Sequence, residues 1–209
     1  MQNFLQYLFF EHVALAEDFE KLYALQFLIN PGLQTEIGNL SLLRTKDIPL
    51  GKNGAHYAAA SFTHVNPDGS RFSDGSFGLM YIGDSTSTAI TEVKHHQMIY
   101  WNKVIGLNYD QFVFKELFCS FGINTGLNLC RLDRLNPLYA PNDYSFTRKL
   151  GEKEPEEGRY YEIKYNSVRN EGGVCYALFT PREITNIIQT KHYVMIWGGS
   201  KISFINSNS

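Results

Sequence analysis

Cysteine is scarce in this chain. Cys119, Cys130 and Cys175 are the three present, and no two of them form a CxxC pair. So odd and sparse a set excludes a disulfide framework and points to reduced, mostly buried thiols in a cytosolic protein. Net charge is equally small: 19 Lys and Arg against 21 Asp and Glu leave −2. That argues against broad electrostatic binding to DNA, RNA or an acidic membrane surface. Apolar runs are short, and none approaches the roughly 18 residues a membrane span needs. No Lys or Arg precedes the apolar run at 4–10, and Glu11 and His12 interrupt it before Ala14-Leu15-Ala16. A secretory leader is therefore not expected, and the protein reads as soluble and cytoplasmic. Also missing are HExxH, a cysteine–histidine cluster, the P-loop pattern, GxGxxG, an internal repeat and a linker.

What is present suits one globular domain. The chain has 209 residues, 44% hydrophobic and 14% aromatic, enough for a full core. Residues 2–29 carry apolar positions at helical spacing and end at Pro31-Gly32, so a helical layer packed on the rest is expected. A short strand is expected at 40–45, and an extended segment or short helix at 55–63. An apolar strand at 79–82 precedes a helix from Thr86 to about Tyr100, for which Asp84 or Ser85 can serve as cap. Strands are expected at 111–120 and 127–132, joined by a hairpin-type turn at Asn124-Thr125-Gly126. A short helix at 143–150, a surface segment at 152–158, strands at 160–165 and 174–179, a last short helix or turn from Pro181-Arg182 and a final strand at 193–197 before a polar tail complete the chain. Helices early and strands late make this α+β with a largely antiparallel or mixed sheet.

Residues 71–96 organise the functional reading. Arg71 opens a Gly/Ser/Asp-rich loop, Tyr81 sits on the strand that follows, and Glu92 lies near the middle of the next helix. Loop, strand, cap and helix in that order can aim all three into one cleft. Glu92 and His95 form an E-x-x-H spacing, but di-iron sites need it twice plus two further glutamates. No metal is expected. An exposed His95 and a half-buried, hydrogen-bonded His96 are expected instead. Cys175 as a nucleophile would require a histidine base, and its run Val174-Cys175-Tyr176-Ala177-Leu178-Phe179 reads as a buried strand with a core thiol.

Taken together these residues resemble the RES domain family, named for its arginine, glutamate and serine. In the family an arginine in a Gly-rich loop is followed ten positions on by a tyrosine and eleven further by a glutamate. Arg71, Tyr81 and Glu92 stand at those spacings, within Asp74-Gly75-Ser76-Phe77-Gly78 and Thr88-Ala89-Ile90-Thr91-Glu92. The later motif appears as Tyr165-Asn166-Ser167-Val168-Arg169, then Gly172-Gly173 and Ala177-Leu178-Phe179-Thr180-Pro181. Leu42-Leu43-Arg44-Thr45 with Pro49-Leu50 resembles the family's early-strand arginine and Pro-Leu pair.

The resemblance implies a single domain with an ADP-ribosyltransferase-like sheet core. Residues 1–39 would then be a helical extension and 40–209 the NAD-binding catalytic domain. It implies an enzyme that releases nicotinamide from NAD, as a glycohydrolase or a phosphorylase. It also implies the toxin of a toxin–antitoxin pair, held by an antitoxin with a helix-turn-helix DNA-binding part. NAD is then substrate rather than prosthetic group, and inorganic phosphate is a candidate co-substrate. Glu92 would stabilise the oxocarbenium-like ribose. Arg71 and Arg44 would grip the pyrophosphate, and Tyr81 would stack on nicotinamide. Ser167 would orient the glutamate, the ribose or the carboxamide, and Arg169 stands among the substrate contacts. No direct contact with nucleic acid or membrane is implied, and a homodimer stays open. Transfer of ADP-ribose to a protein and a non-catalytic nucleotide-binding module are the alternatives.

Overall fold

Alanine-rich residues 55–63 settle as helix α1 (Ala55–Thr63) rather than as an extended segment. Its buried positions Ala55, Ala58, Ala59 and Phe62 are the i, i+3, i+4, i+7 stripe of a core-facing helix. After the glycine-rich loop come strand β1 (Met80–Gly83) and helix α2 (Thr86–Asn102). Ser85 caps α2, its hydroxyl accepting from the Thr88 N–H at 3.2 Å. The chain continues through β2 (Asp110–Phe121), β3 (Gly126–Asn128), α3 (Ser145–Glu157), β4 (Glu162–Asn166), β5 (Val174–Leu178), β6 (Ile184–Trp197) and β7 (Ile202–Asn208). This computed structural model describes residues 38–208, apart from 50, 123–125 and 158–159. The helical segment expected at 2–29 lies outside the described residues.

Two sheets form. One has the order β1-β5-β4-β3, antiparallel except where β3 runs parallel to β4. The other, β2-β6-β7, is antiparallel throughout. The arrangement is a single-domain α+β fold. In the first sheet Tyr81 faces Ala177, and Gly83 and Tyr165 both face Cys175. Strand alternation therefore puts Tyr81, Ala177, Cys175, Tyr165 and Ile163 on one face. Four of these, with Phe72, Leu79, Leu129 and Tyr139, make one core cluster. Met80 and Leu178 point the other way and meet Ala58, Phe62, Ile184 and Ile187 in a second cluster. There α1 is wedged between the first sheet and β6.

Helix α2 joins the two sheets. Trp101 stacks on Phe112 of β2 with ring centroids 3.9 Å apart and meets Trp197 of β6 edge-on at 5.7 Å. At the other end, Thr86 donates its hydroxyl to Glu116 of β2 at 2.6 Å. Gly83 lets the start of α2 approach β1, because a Cβ there would lie 2.7 Å from the Ala89 nitrogen.

Several expected elements differ. Residues 40–45 form no strand: Leu40–Leu42 is a 3-10 turn capped by Asn39, whose side chain accepts from the Ser41 N–H. A second such turn spans Thr45–Asp47. Strands β2 and β3 are not a hairpin, since they belong to different sheets, and β3 is only three residues long. The helix expected at 143–150 extends to Glu157 and absorbs most of the surface segment. Strand β6 starts at Ile184, not Tyr193, and the expected polar tail contains β7. Only Cys175 of the three thiols is fully buried, with Cys119 and Cys130 partly exposed.

Candidate active site

A cleft of about 390 Å³ opens beside β1, between the face of α2 that carries Glu92 and the loop that carries Arg71. Arg71, Tyr81, Glu92, Tyr144, Tyr165 and Cys175 are among its walls. Cavities of this size suit small-molecule ligands. Among the described residues no group of three or more His, Cys, Asp or Glu is arranged to hold a metal, and no helix is long and apolar enough to cross a membrane.

Glu92 sits on the second turn of α2 with its side chain 22% exposed. Its Oε1 accepts from the Ser167 hydroxyl at 2.6 Å and from the Cys175 thiol at 3.8 Å. Its Oε2 lies 4.0 Å from His96 Nε2, one helical turn on. Ser167 is completely buried. It sits in the turn between β4 and β5, where its N–H donates to the Gly173 carbonyl and its Oγ accepts from the Arg169 and Asn170 N–H groups. With its acceptor capacity taken by two backbone donors, the hydroxyl proton is directed at Glu92. Asn170 donates to Thr88, and Thr88 to Asp84. That chain of bonds pins the 167–173 turn to the start of α2.

Arg71 is buried, and its guanidinium lies 4.6 Å over the Tyr144 ring and 5.9 Å from that of Tyr165. Nη1 donates to the Leu138 and Ala140 carbonyls at 3.2 and 3.3 Å. Of its five N–H donors, those on Nε and Nη2 have no hydrogen-bond acceptor among the described residues. The ring of Tyr81 is more than a third exposed, whereas its hydroxyl end is sunk. There Oη pairs with Ser70 Oγ at 2.8 Å and accepts from the Phe72 N–H at 3.1 Å. Burial pushes its pKa up to about 12. Burial and, next, the Glu92 carboxylate push the Cys175 thiol up to about 12 as well. A group so placed is a thiol rather than a thiolate, in agreement with a core cysteine and against a nucleophile.

The structure thus brings together Arg71, Tyr81, Glu92 and Ser167, with Ser167 behind the glutamate rather than on the cleft wall. Arg44 does not join them. It is an exposed residue between the two 3-10 turns, bonded to Asp47 at 2.5 Å, and not on an early strand. Arg169 donates to the Pro141 carbonyl and to Asn142 Oδ1, tying down a neighbouring loop without lining the cleft. The histidines are reversed from expectation: His95 is half-buried, with its Nε2 unpartnered among the described residues, and His96 is exposed on the cleft side.

Sequence reasoning missed Tyr144 and Arg148. Tyr144 stacks on Arg71. Arg148 donates to the Ser70 and Asp68 carbonyls at 3.0 and 2.9 Å and so clamps the loop that presents Arg71. Asp143 caps the Ser145 N–H. A helix start was therefore readable there, but not what its first turn touches.

Fold and cleft together define an α+β protein in which an arginine, a tyrosine and a glutamate meet at one cleft, with a serine from a fourth chain segment behind the glutamate. The chain belongs to the RES domain family, whose model matches residues 48–198. It is similar to the uncharacterized protein y4oC of Sinorhizobium fredii (strain NBRC 101917 / NGR234). The two are 24% identical over 200 residues, which cover 94% of this chain and 80% of that protein. Family membership supports an NAD-related enzyme activity in general terms.

Proposed function

We propose that this protein cleaves the nicotinamide–ribose bond of NAD, with Glu92 stabilising the positive charge that develops on the ribose. The observation that carries this reading is the Glu92 carboxylate on the cleft wall, held at Oε1 by a buried serine hydroxyl. Its orientation is thereby fixed before substrate arrives, so little reorganisation is needed as charge develops. The free Nε and Nη2 donors of Arg71 suit a phosphate oxygen pair, and the anchored ring of Tyr81 offers a stacking surface for nicotinamide. Nicotinamide departs as a neutral molecule, so the reaction needs neither a prosthetic group nor a strong general acid. Arg169 would act through the loop it holds.

Water as acceptor gives ADP-ribose, and inorganic phosphate gives phosphorylated ADP-ribose. Unrestrained loss of NAD would poison the producing cell. The proposal therefore includes a toxin role and a protein antitoxin, with a helix-turn-helix DNA-binding part, that closes the cleft mouth.

Incubation of the purified protein with NAD, with and without phosphate, tests this by chromatography of the products. Free nicotinamide with ADP-ribose or its phosphorylated form is expected, and Glu92→Gln is expected to lose nearly all of it while keeping the fold. Absence of nicotinamide release would remove the proposal. Label from NAD retained on protein, with little free ADP-ribose, would replace it by ADP-ribosyl transfer.

A further inference from the structure

We propose that His96 receives the proton of the acceptor as that acceptor attacks the ribose, with Glu92 close enough to stabilise the imidazolium that forms. The inference rests on the proposed NAD cleavage and assigns the one part of it that Arg71, Tyr81, Glu92 and Ser167 leave unassigned. The two oxygens of Glu92 have different surroundings. Oε1 takes the Ser167 hydroxyl and the Cys175 thiol, both from the buried side. Oε2 is 4.0 Å from His96 Nε2. Residues at i and i+4 share a helix face, and here that face is the cleft wall. The His96 side chain is 54% exposed, so an acceptor entering from solvent can reach it.

Cys175, Tyr81 and Tyr165 are poorly suited as bases. Cys175 and Tyr81 hold their protons to about 12, and burial also pushes Tyr165 well above its usual value. His95 is turned off the cleft wall. Facing His96 are Glu92 and His95 from its own helix, Arg169 from the turn after β4, and Arg71 from the loop before β1. Its pKa is lowered, first by partial desolvation at the cleft wall; Glu92 comes next and opposes the shift, while Arg169 and Arg71 add to it. The imidazole is therefore neutral near pH 7 and able to accept a proton, while Glu92 is placed to stabilise the imidazolium that results.

With water as acceptor the step balances as follows. The C1′–N bond breaks with its electron pair going to nicotinamide, which leaves neutral. A water lone pair forms the new C1′–O bond, its proton passes to His96, and His96 later releases that proton to solvent.

The test is kcat and KM for nicotinamide release across about pH 5 to 8, for wild type, His96→Gln, His96→Ala and His64→Ala. His64 is the second histidine of the cleft and serves as the control. In the wild type kcat should fall on the acid side with an apparent pKa below the usual histidine value of about 6.5. In His96→Gln kcat should fall about a hundredfold, KM should change little, and the acid limb should vanish. Imidazole added to His96→Ala should restore part of the rate, which a merely structural role would not allow. Wild-type kcat with an intact acid limb in both His96 variants would overturn the inference and leave NAD cleavage standing. Loss of the acid limb in His64→Ala instead would also overturn it. A wild type that releases no nicotinamide would remove the proposed function and this inference with it.

Discussion

Ser167 and Glu92 stand 75 positions apart in the chain, yet the serine hydroxyl donates to the glutamate at 2.6 Å. One residue is delivered by the turn between β4 and β5, the other by α2. The Asn170–Thr88–Asp84 bonds hold the two elements in register. Hydrogen bonds to a charged group contribute about 1.5–3 kcal/mol, which makes this contact strong enough to set the carboxylate's orientation.

Ser167→Ala should therefore act on both activity and stability. The Arg169 and Asn170 N–H groups lose their shared acceptor, and an unsatisfied buried donor costs about 1–3 kcal/mol. Denaturant unfolding should show a loss in that range. Nicotinamide release should fall more than tenfold, because Glu92 is no longer held. Full activity with wild-type stability would show that the serine does not orient the glutamate.

Arg148→Ala should weaken substrate binding more than chemistry. The residue touches no part of Glu92, but it holds the 68–70 backbone beside Arg71. Initial rates against NAD concentration should give a KM about tenfold higher with kcat little changed, the pattern of a lost ground-state contact. A fall in kcat alone would contradict this role.

Cys175 should resist alkylation in the native protein. Its thiol is 3% exposed and held up to about 12 by burial and by Glu92, and the thiolate is the reactive form. Peptide mass spectrometry after iodoacetamide treatment at neutral pH should find Cys175 unmodified. The same treatment in urea should modify it fully. Rapid native modification would show that this wall of the cleft opens.

Glu162→Gln should stabilise the protein at neutral pH. Glu162 is 4% exposed, and its Oε2 has no hydrogen-bond partner among the described residues. Burial raises its pKa, opposed by Lys164. A carboxyl whose folded pKa lies above its unfolded value costs stability above the folded pKa. That cost fades as pH falls toward the unfolded value of about 4.3. Thermal or urea unfolding should show a gain of about 1 kcal/mol for the variant at pH 7, shrinking toward pH 4.5. A gain that grows on acidification would reverse the sign and refute the account.

Local chemistry was legible in the sequence where it decides local structure. Ser85 before a helical stripe gave α2, and the apolar runs at 79–82 and 174–179 gave β1 and β5. Strand partners were not legible, because pairing depends on neighbours far away in the chain. Leu127 looked like the return of a hairpin, yet β3 lies parallel to β4. Leu-Ser-Leu-Leu at 40–43 has strand composition, but the Asn39 side chain closes a 3-10 turn instead. Gln189, Thr190 and Lys191 hid the first half of β6, because the ladder to β2 shifts register at this exposed, polar stretch and resumes on either side of it. Within the site, Arg71, Tyr81, Glu92 and Ser167 were found through motif spacing. Tyr144 carries no motif, and only packing places its ring under Arg71. His95 and His96 were exchanged because neighbouring helical positions differ by about 100°, too little for a stripe read from sequence to tell which one meets the cleft.

The strand order β1-β5-β4-β3 bears on how the protein comes into being. β1 takes its place beside β5, not beside the strand made next after it. A ribosome adds about 5–20 residues per second, so the 75 residues from Glu92 to Ser167 take roughly 4–15 s to make. Through that interval the growing chain carries Arg71, Tyr81 and Glu92 without the serine that orients the carboxylate or the strand that seats the tyrosine. The cleft is thus assembled only once the 167–173 turn and β5 have been made.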